Sequence, residues 1–345
     1  MDLLRIRRLV DKAICDFNLF LKGACVLTEA ASGFYIVTPL IAALAGARVS
    51  TITRDSQYGS AKDVIKTTKD VAVQWRVSDR ISFHENLSPN IISEADIVTN
   101  LGHVRPINHQ FVEAMKSAAV IPLMWEPWEY RTEDLDLEAC RRRDIPVMGT
   151  DEQHSLVSTF DYVGTLVHKI LFDEGFEING NKIALVGSGI FLEKPAETLK
   201  SAKASVQILD TDSDNVSHIN DDVDVVILLE HRNKKQLLGE AGWIANPAVY
   251  WRDKRIVHIC GNIDVDWLRK NGAYLVPQYP APFSRMSYTT AYLGPLPVIQ
   301  LHTAGLKVGE AMWQARKQGL QGRAFLEYVM SNSPALPFPE KGIMS

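Results

Sequence analysis

Mostly apolar runs alternate with stretches of helical spacing along the 345 residues of this chain. The apolar runs predict strands at 24–28, 48–53, 96–100, 118–124, 145–148, 181–186, 206–210, 223–229, 255–260, 273–276 and 298–301. Helical spacing predicts helices at 3–21, 39–46, 108–117, 135–140, 155–172 and 305–316. Strands that are apolar throughout are typical of a parallel sheet covered by helices on both faces. The pattern therefore predicts an α/β protein.

One stretch has the pattern of a dinucleotide-binding turn. A buried strand leads to Gly187, a helix follows, and a second strand ends at Asp210. Gly187 would allow a sharp turn, Gly189 would let backbone N–H groups approach a pyrophosphate, and Asp210 could accept hydrogen bonds from a ribose. The candidate cofactor-binding residues here are Gly187, Ser188, Gly189, Ile190, Phe191 and Asp210. The alternative is an ordinary strand-to-helix turn.

The glycine pattern is incomplete on its helical side. Its third glycine position holds Leu192, whose side chain would crowd the helix against the strand. Pro195 would lie inside a helix that started at Gly189, where it removes a hydrogen bond and clashes with the preceding turn. We therefore predict that the helix begins near Pro195, because proline suits a first helical turn.

Composition and charge narrow the class of protein. Hydrophobic residues make up 46% of the chain, charged residues make up 23%, and the net charge is −4. These values are those of a globular protein, and the length suits two domains of about 150 residues each. The charges form no basic stripe, which excludes nucleic acid as an expected partner.

Cysteines and apolar segments indicate the compartment. Cys15, Cys25, Cys140 and Cys260 have no CxxC spacing, which favours a reducing compartment over a disulfide framework or a zinc ribbon. The start of the chain lacks the apolar region of a signal peptide. The longest apolar stretch, 34–47, is shorter than the roughly 20 residues of a membrane span. We expect a cytoplasmic protein with no membrane partner.

Two phrases and their order resemble a known family. Residues 135–150, which read LDLEACRRRDIPVMGT, resemble the phrase that ends the first domain of D-isomer-specific 2-hydroxyacid dehydrogenases. In that family a long linking helix and then the glycine strand follow, as 155–172 and 182–189 do here. Residues 301–305, LHTAG, resemble the histidine-containing turn that closes the family's cofactor domain.

The resemblance implies two doubly wound, Rossmann-like parallel-sheet domains with a cleft between them. It implies a substrate domain over 1–150, an NAD-binding domain over 151–300, and a segment over 301–345 that packs back on the first domain. It further implies a homodimer, since family members commonly pair through their cofactor domains. NAD is favoured over NADP because a 2′-phosphate would meet Asp210 as a like charge.

The resemblance places the catalytic histidine at His302. A histidine with a pKa near neutral can take or give the hydroxyl proton in a hydride transfer; the alternative is a histidine bonded to backbone. The family's substrate-binding arginine has no counterpart in the stretch 259–264, and its glutamate has none in the stretch 276–285. Gly261 and Asn262, in the first of these stretches, are further candidate cofactor-binding residues. Arg232 is the nearest replacement for the carboxylate clamp, and His231 beside it is a further candidate catalytic residue. The alternative for Arg232 is a solvated loop arginine.

Charged and aromatic residues follow the predicted strands of the first domain. The candidate substrate-binding residues are Glu29, Ser32, Gly33, Arg54 and Glu126, the last of them beside two tryptophans. This mixture suits a small polar substrate, one that could carry a ring. The alternative is a surface network of ion pairs. His103 and His231 have no partner at metal-ligand spacing, so we expect no metal site.

The leading hypothesis is an NAD-dependent oxidoreductase that transfers hydride between the nicotinamide and a small polar hydroxy or keto substrate. One rival is a non-redox enzyme on the same scaffold that uses S-adenosylmethionine or holds a nucleotide. A second rival is a non-catalytic protein that senses NAD(H), because a fold does not by itself establish a function.

Overall fold

The computed structural model describes residues 2–213, 215 and 218–338. Its chain divides into two compact units. Unit 1 comprises the described parts of Met1–Ser158 and Gly294–Ser345, and unit 2 comprises those of Thr159–Leu293. The part of the predicted C-terminal segment over 339–345 lies outside the described residues.

Helices and strands alternate along most of the described chain. The α-helices are α1 (Leu3–Asp16), α2 (Val37–Leu44), α3 (Ala61–Gln74), α4 (Pro89–Glu94), α5 (His109–Ala114), α6 (Leu137–Arg142), α7 (Thr159–Asp173), α8 (Gly189–Ser201), α9 (Val265–Lys270), α10 (Pro295–Lys317) and α11 (Gly322–Asn332). The strands are β1 (Cys25–Glu29), β2 (Arg48–Ile52), β3 (Ile81–His84), β4 (Ile97–Val98), β5 (Ile121–Pro122), β6 (Val147–Thr150), β7 (Lys182–Gly187), β8 (Ser205–Asp210), β9 (Val225–Leu229), β10 (Gln236–Leu238), β11 (Arg255–Cys260), β12 (Asn262–Ile263), β13 (Tyr274–Val276) and β14 (Ala335–Leu336).

Unit 1 contains a doubly wound sheet. Four parallel strands lie in the order β3-β2-β1-β4, and a parallel bridge between Ile97 and Val120 joins β4 to the strands β5, β6 and β14. The strand β14 pairs with β6 in the antiparallel sense. The order reverses between β1 and β4, and ligands of open parallel sheets bind beyond the carboxyl ends of the strands at such a reversal.

Helix α10 lies in the interior of unit 1, and it corrects one prediction. The run 298–301, predicted as a strand, lies inside this helix, and most residues from Pro295 to Trp313 are buried. A short apolar run cannot be assigned to a strand or a buried helix by its periodicity alone. The prolines at 295 and 297 lie in the first turn of the helix, where they are tolerated.

Unit 2 contains a second doubly wound sheet. Its five parallel strands lie in the order β13-β11-β9-β7-β8, and the order reverses between β7 and β9. All five residues of β9 are buried, as the apolar run predicts. The predicted fold class, α/β with doubly wound parallel sheets, is confirmed in both units.

The starts of α8 and α2 differ from their predicted positions. Helix α8 begins at Gly189 and contains Pro195 in its interior, whereas we expected it to begin near the proline. The buried Pro195 and Leu192 are both accommodated, because tertiary packing offsets the loss of one helical hydrogen bond. In unit 1, α2 begins at Val37, directly after a 3₁₀ turn over Gly33–Ile36, and not at the predicted residue 39.

Within the described ranges, no helix is both long and apolar enough to span a membrane.

Candidate nucleotide site in unit 2

The glycine loop lies at the carboxyl end of β7, where the strand order of unit 2 reverses. A Cβ on Gly187 would lie 2.7 Å from the carbonyl oxygen of Leu229, so only glycine allows the two strands to approach this closely. Gly189 has φ +55°, a left-handed conformation that glycine adopts without strain. These two glycines are therefore required by the backbone geometry of the loop.

The first turn of α8 is open at this loop. Ser188 is the N-cap residue, with φ −143° and ψ 157°, but its side chain makes no capping hydrogen bond. The first N–H groups of a helix have no partner within the helix, and they carry the positive end of its dipole. They are consequently placed to bind an anion beyond the loop.

Glu230 lies beneath the loop and is fully buried. Its Oε1 atom accepts hydrogen bonds from Ser188 Oγ at 3.2 Å and from the backbone N–H groups of Arg232 and Asn233 at 2.8 Å each, and Thr211 Oγ1 donates to its Oε2. Burial acts to raise the pKa of this carboxyl, but the four donors hold it below its ordinary value. Glu230 is thus an ionised group that holds the ends of β7, β8 and β9 together.

Asp210 and Arg232 flank the loop. Asp210, exposed at the end of β8, is in register with Gly187, and its Oδ1 accepts the N–H of Asp212 at 3.0 Å. Arg232 has contacts with Ser188 Oγ at 3.5 Å and with Asp212 Oδ2 at 3.7 Å. The structure therefore brings the predicted residues 187–191, 210, 231 and 232 to one edge of the sheet.

His231 is buried against aromatic rings. Its ring stacks on Phe191 with 4.3 Å between centroids, and Phe191 packs edge-on against Phe160 at 5.3 Å. Burial, with the positive charge of Arg232, lowers the pKa of His231 to about 4. The imidazole is therefore neutral at pH 7. Its catalytic role stays a prediction.

The predicted cofactor contacts Gly261 and Asn262 follow β11. Gly261 has φ +140°, and the side chain of Asn262 donates to the carbonyl of Lys234 at 2.9 Å. The buried His258 holds this end in place, with its Nε2 3.0 Å from the carbonyl of Gly261 and its Nδ1 2.7 Å from Ser287 Oγ. The part of Gly261 and Asn262 in cofactor binding stays a prediction.

The predicted substrate residues lie in unit 1, at the carboxyl ends of its strands. Glu29, 5% exposed, accepts the backbone N–H of His103 at 2.8 Å, and burial raises its pKa. Arg54 is exposed, and its Nη1 lies 3.5 Å from the carbonyl of Arg105. Ser32 and Gly33 form the turn that leads into the 3₁₀ helix, and Gly33 has φ +65°.

Glu126 belongs to a separate acidic group in unit 1. Its Oε2 accepts the indole N–H of Trp128 at 2.9 Å, and its Oε1 accepts the backbone N–H of Glu152 at 3.3 Å. Burial raises the pKa of the neighbouring Glu129 to about 7. Trp128 and Glu126 thus form the charged and aromatic mixture expected from the sequence, at a position fixed by Glu152, which sequence reasoning did not select.

His302 lies in the middle of α10, so its predicted place in a turn after a strand is wrong. The side chain is 4% exposed, and Nδ1 lies 2.5 Å from Thr38 Oγ1. Burial lowers its pKa to about 4. It belongs to unit 1 and not to the unit that carries the glycine loop. The acid–base role stays a prediction, and this geometry favours a structural role.

Sequence reasoning did not include Glu230 among the site residues. One signal was available, since an acid directly follows a strand whose five residues are all apolar.

Among the residues that the structure describes, no group of three or more His, Cys, Asp or Glu side chains is arranged to hold a metal ion.

Comparisons with known proteins give matches in structure alone. No family model matches the chain, and no curated protein does. A dipicolinate synthase chain from Bacillus subtilis matches with a TM-score of 0.53 and 12% identity, over 87% of this chain and 99% of that chain. The corresponding dipicolinate synthase chain from Bacillus halodurans matches with a TM-score of 0.51 and 10% identity, over 82% of this chain and 96% of that chain.

Further structures match with lower TM-scores. The NAD-dependent formate dehydrogenase of Staphylococcus aureus, in complex with NAD, matches with a TM-score of 0.45 and 11% identity, over 87% of this chain and 98% of that chain. The more distant structural matches also include a D-isomer-specific 2-hydroxyacid dehydrogenase from Lactobacillus delbrueckii.

Fold and site together define an α/β protein with two doubly wound units and a nucleotide-type glycine loop in the second. Within this class, its fold is similar to that of the dipicolinate synthase chain from Bacillus subtilis. These likenesses concern the fold alone.

Proposed function

We propose that the protein is an NAD-dependent oxidoreductase that acts on a small polar hydroxy or keto substrate. The observation that carries the proposal is the combination, at the reversal of strand order in unit 2, of a left-handed Gly189 with the exposed carboxylate of Asp210. A pyrophosphate is bound by a glycine loop and a helix N-terminus of this kind, and a ribose by the acid at the end of the next strand.

The residues of the loop fit an NAD dinucleotide. The uncapped first turn of α8 would hold the pyrophosphate, and Asp210 would accept hydrogen bonds from the adenosine ribose. When bound, NAD supplies the hydride acceptor or donor. The chain's own contribution is to bind and orient it, and Glu230 keeps Ser188 in position for this.

The substrate part of the proposal rests on unit 1. We assign Glu29, Ser32, Gly33, Arg54 and Glu126 to substrate binding, as the sequence predicts. The support is that Glu29 ends β1 and Arg54 follows β2, on the edge where ligands of such sheets bind. A buried carboxyl with a raised pKa at this edge suits a polar substrate.

The proposal is tested by the thermal stability of the protein with NAD, NADH, NADP, NADPH and S-adenosylmethionine, each added separately. A ligand at a hundred times its dissociation constant adds about 2.7 kcal/mol of stability, which raises the melting temperature by several degrees. We expect a rise with NAD or NADH, followed by turnover on a screen of hydroxy and keto acids. A rise with S-adenosylmethionine alone would instead support the non-redox enzyme.

A second candidate function is a protein that senses NAD(H) without turnover. One observation favours it. The stretch Ile259–Asp264, at the end of β11 and just beyond it, has no arginine, and the histidines His231 and His258 are both buried. Tight binding of NADH with no turnover of any screened substrate would support this candidate over the enzyme.

We also propose that the protein is a cytoplasmic homodimer, on the strength of the family resemblance and the cysteine pattern. Light scattering after size-exclusion chromatography tests the dimer; a mass near the 38.5 kDa of one chain would contradict it.

A further inference from the structure

We propose that Arg232 binds the phosphate oxygens of the nucleotide on the glycine loop, in place of the carboxylate-clamp role that the sequence predicts for it. This inference rests on the proposed function, because it names the group that recognises the pyrophosphate of the same site.

The guanidinium of Arg232 lies directly on the open face of the loop. A Cβ built on Gly189 would be 2.5 Å from Arg232 Nη2. The guanidinium therefore occupies the space that a side chain at 189 would take. A donor at this position faces the same region as the first N–H groups of α8, which is where a pyrophosphate would lie.

The backbone of Arg232 is held firmly, but its guanidinium group is not. The backbone N–H donates to the buried Glu230 at 2.8 Å. In contrast, the guanidinium has contacts of only 3.5 Å to Ser188 Oγ and 3.7 Å to Asp212, and the side chain is 51% exposed. Well-formed bonds between a guanidinium and an anion are shorter, at about 2.7–2.9 Å. An anion with two oxygens could thus accept hydrogen bonds from two N–H groups of the guanidinium, and no strong hydrogen bond would have to break.

A positive charge near the loop would also favour a bound pyrophosphate. Glu230 is an ionised carboxylate beneath Ser188, and Asp210 and Asp212 lie at the adjacent strand end. Without compensation, these acids would repel the two negative charges of a pyrophosphate. The helix N-terminus supplies only about half an elementary charge. Arg232 supplies a full positive charge on the side of the loop that faces solvent.

Isothermal titration calorimetry with ADP, adenosine and NAD tests the proposal. The variants are Arg232→Gln, which removes the charge, and Arg232→Lys, which keeps the charge but not the fork. Arg252→Gln is the matched control, since Arg252 is exposed and precedes β11 at the opposite edge of the same sheet. We expect R232Q to weaken ADP and NAD binding about 10-fold or more, R232K to weaken it less, and adenosine binding to stay the same.

The outcomes separate this inference from the proposed function. ADP affinity in R232Q that equals or exceeds that of the wild-type protein would overturn the role of Arg232, even if NAD binds and turns over. Equal loss for ADP and adenosine would indicate a structural defect and would also overturn it. If ADP binding depends on Arg232 but NAD does not bind, the inference stands and the oxidoreductase fails. A wild-type protein that binds neither ADP nor NAD overturns both.

Discussion

Glu230 shows how one buried side chain organises the loop of unit 2. Four donors from the ends of three strands converge on it: two hydroxyl groups and two backbone N–H groups. A buried charge is tolerated only when it is hydrogen-bonded in this way. Its removal would leave donors without an acceptor, which costs more than the net energy of the bonds themselves.

We expect Glu230→Gln to lower the free energy of unfolding by about 1–3 kcal/mol, because an amide cannot accept on both of its atoms. Because the pKa of Glu230 is lowered, the stability that this substitution removes depends on pH. The stabilisation by the carboxylate is fully present above the unfolded pKa near 4.5 and is lost as the pH falls below it. Urea unfolding at pH 7.5 and pH 4 measures both effects. The exposed Glu240→Gln is the control, and equal stability of the two variants at pH 7.5 would contradict the prediction.

The buried His302 makes the free energy of unfolding depend on pH. Its pKa of about 4 in the folded protein lies below the ordinary 6.5. The unfolded chain therefore binds the proton first, so the stability is full above pH 6.5 and is lost as the pH falls towards 4. Between pH 7.5 and pH 5 this histidine should cost the wild-type protein about 2 kcal/mol of stability.

The variant His302→Gln should lack this part of the pH dependence, as measured by urea unfolding at pH 7.5 and pH 5. Carboxyl groups with a raised pKa, such as Glu29, have the opposite sign, but they are present in both proteins and cancel in the difference. The exposed His109→Gln controls for the loss of a histidine. Parallel pH profiles for wild type and H302Q would refute a buried neutral imidazole.

Helix α10 shows how a single element is fitted between others. Its Gly309 and Gly305 allow the helix to approach the sheet of unit 1 closely. A Cβ on Gly309 would lie 2.7 Å from Ile97 Cγ2 and 3.0 Å from Pro122 Cγ. A Cβ on Gly305 would lie 2.6 Å from Met124 Sδ. The neighbours of Gly309 are stiff, whereas methionine is flexible and can move aside.

We expect Gly309→Ala to destabilise the protein by about 1–3 kcal/mol through overpacking, in spite of the better helix propensity of alanine. Gly305→Ala should cost less, because Met124 can change its rotamer. Thermal unfolding of the two variants, each compared with the wild-type protein, measures the order. An equal or larger loss for G305A would show that the methionine is as constrained as Ile97.

The assignment of segments to units gives a prediction for the whole chain. Unit 2 is one continuous segment, Thr159–Leu293, but unit 1 needs both Met1–Ser158 and the segment that begins at Gly294. Helix α10 supplies a large buried apolar surface to unit 1. The first segment alone would expose the partners of this helix to water.

Expressed separately, residues 159–293 should give a soluble fragment with a cooperative thermal transition, because their core is contained within the segment. Residues 1–158 should be aggregated or should lack a cooperative transition. Circular dichroism and light scattering on the two fragments make the comparison. A folded 1–158 fragment would mean that α10 is dispensable for the core of unit 1.

Much of the fold follows from local patterns in the sequence. The apolar runs mark β7 and β9 because a strand buried on both faces is largely apolar. The turn at Gly187 and Gly189 and the acid at 210 can also be identified, since each depends on backbone conformation or on position within a few residues of a strand end. Local patterns along the chain are thus enough to predict the α/β class and the place of the glycine loop.

Other features depend on which strands become neighbours. The strand order of unit 2 brings Glu230 beneath Ser188 and Thr211, residues 42 and 19 positions away, so no local pattern could indicate this group. For His302, the surrounding core decides that an apolar run forms a buried helix and that the imidazole stays neutral. These points follow from the fold as a whole, because burial and charge at a residue are set by elements that are distant in the chain.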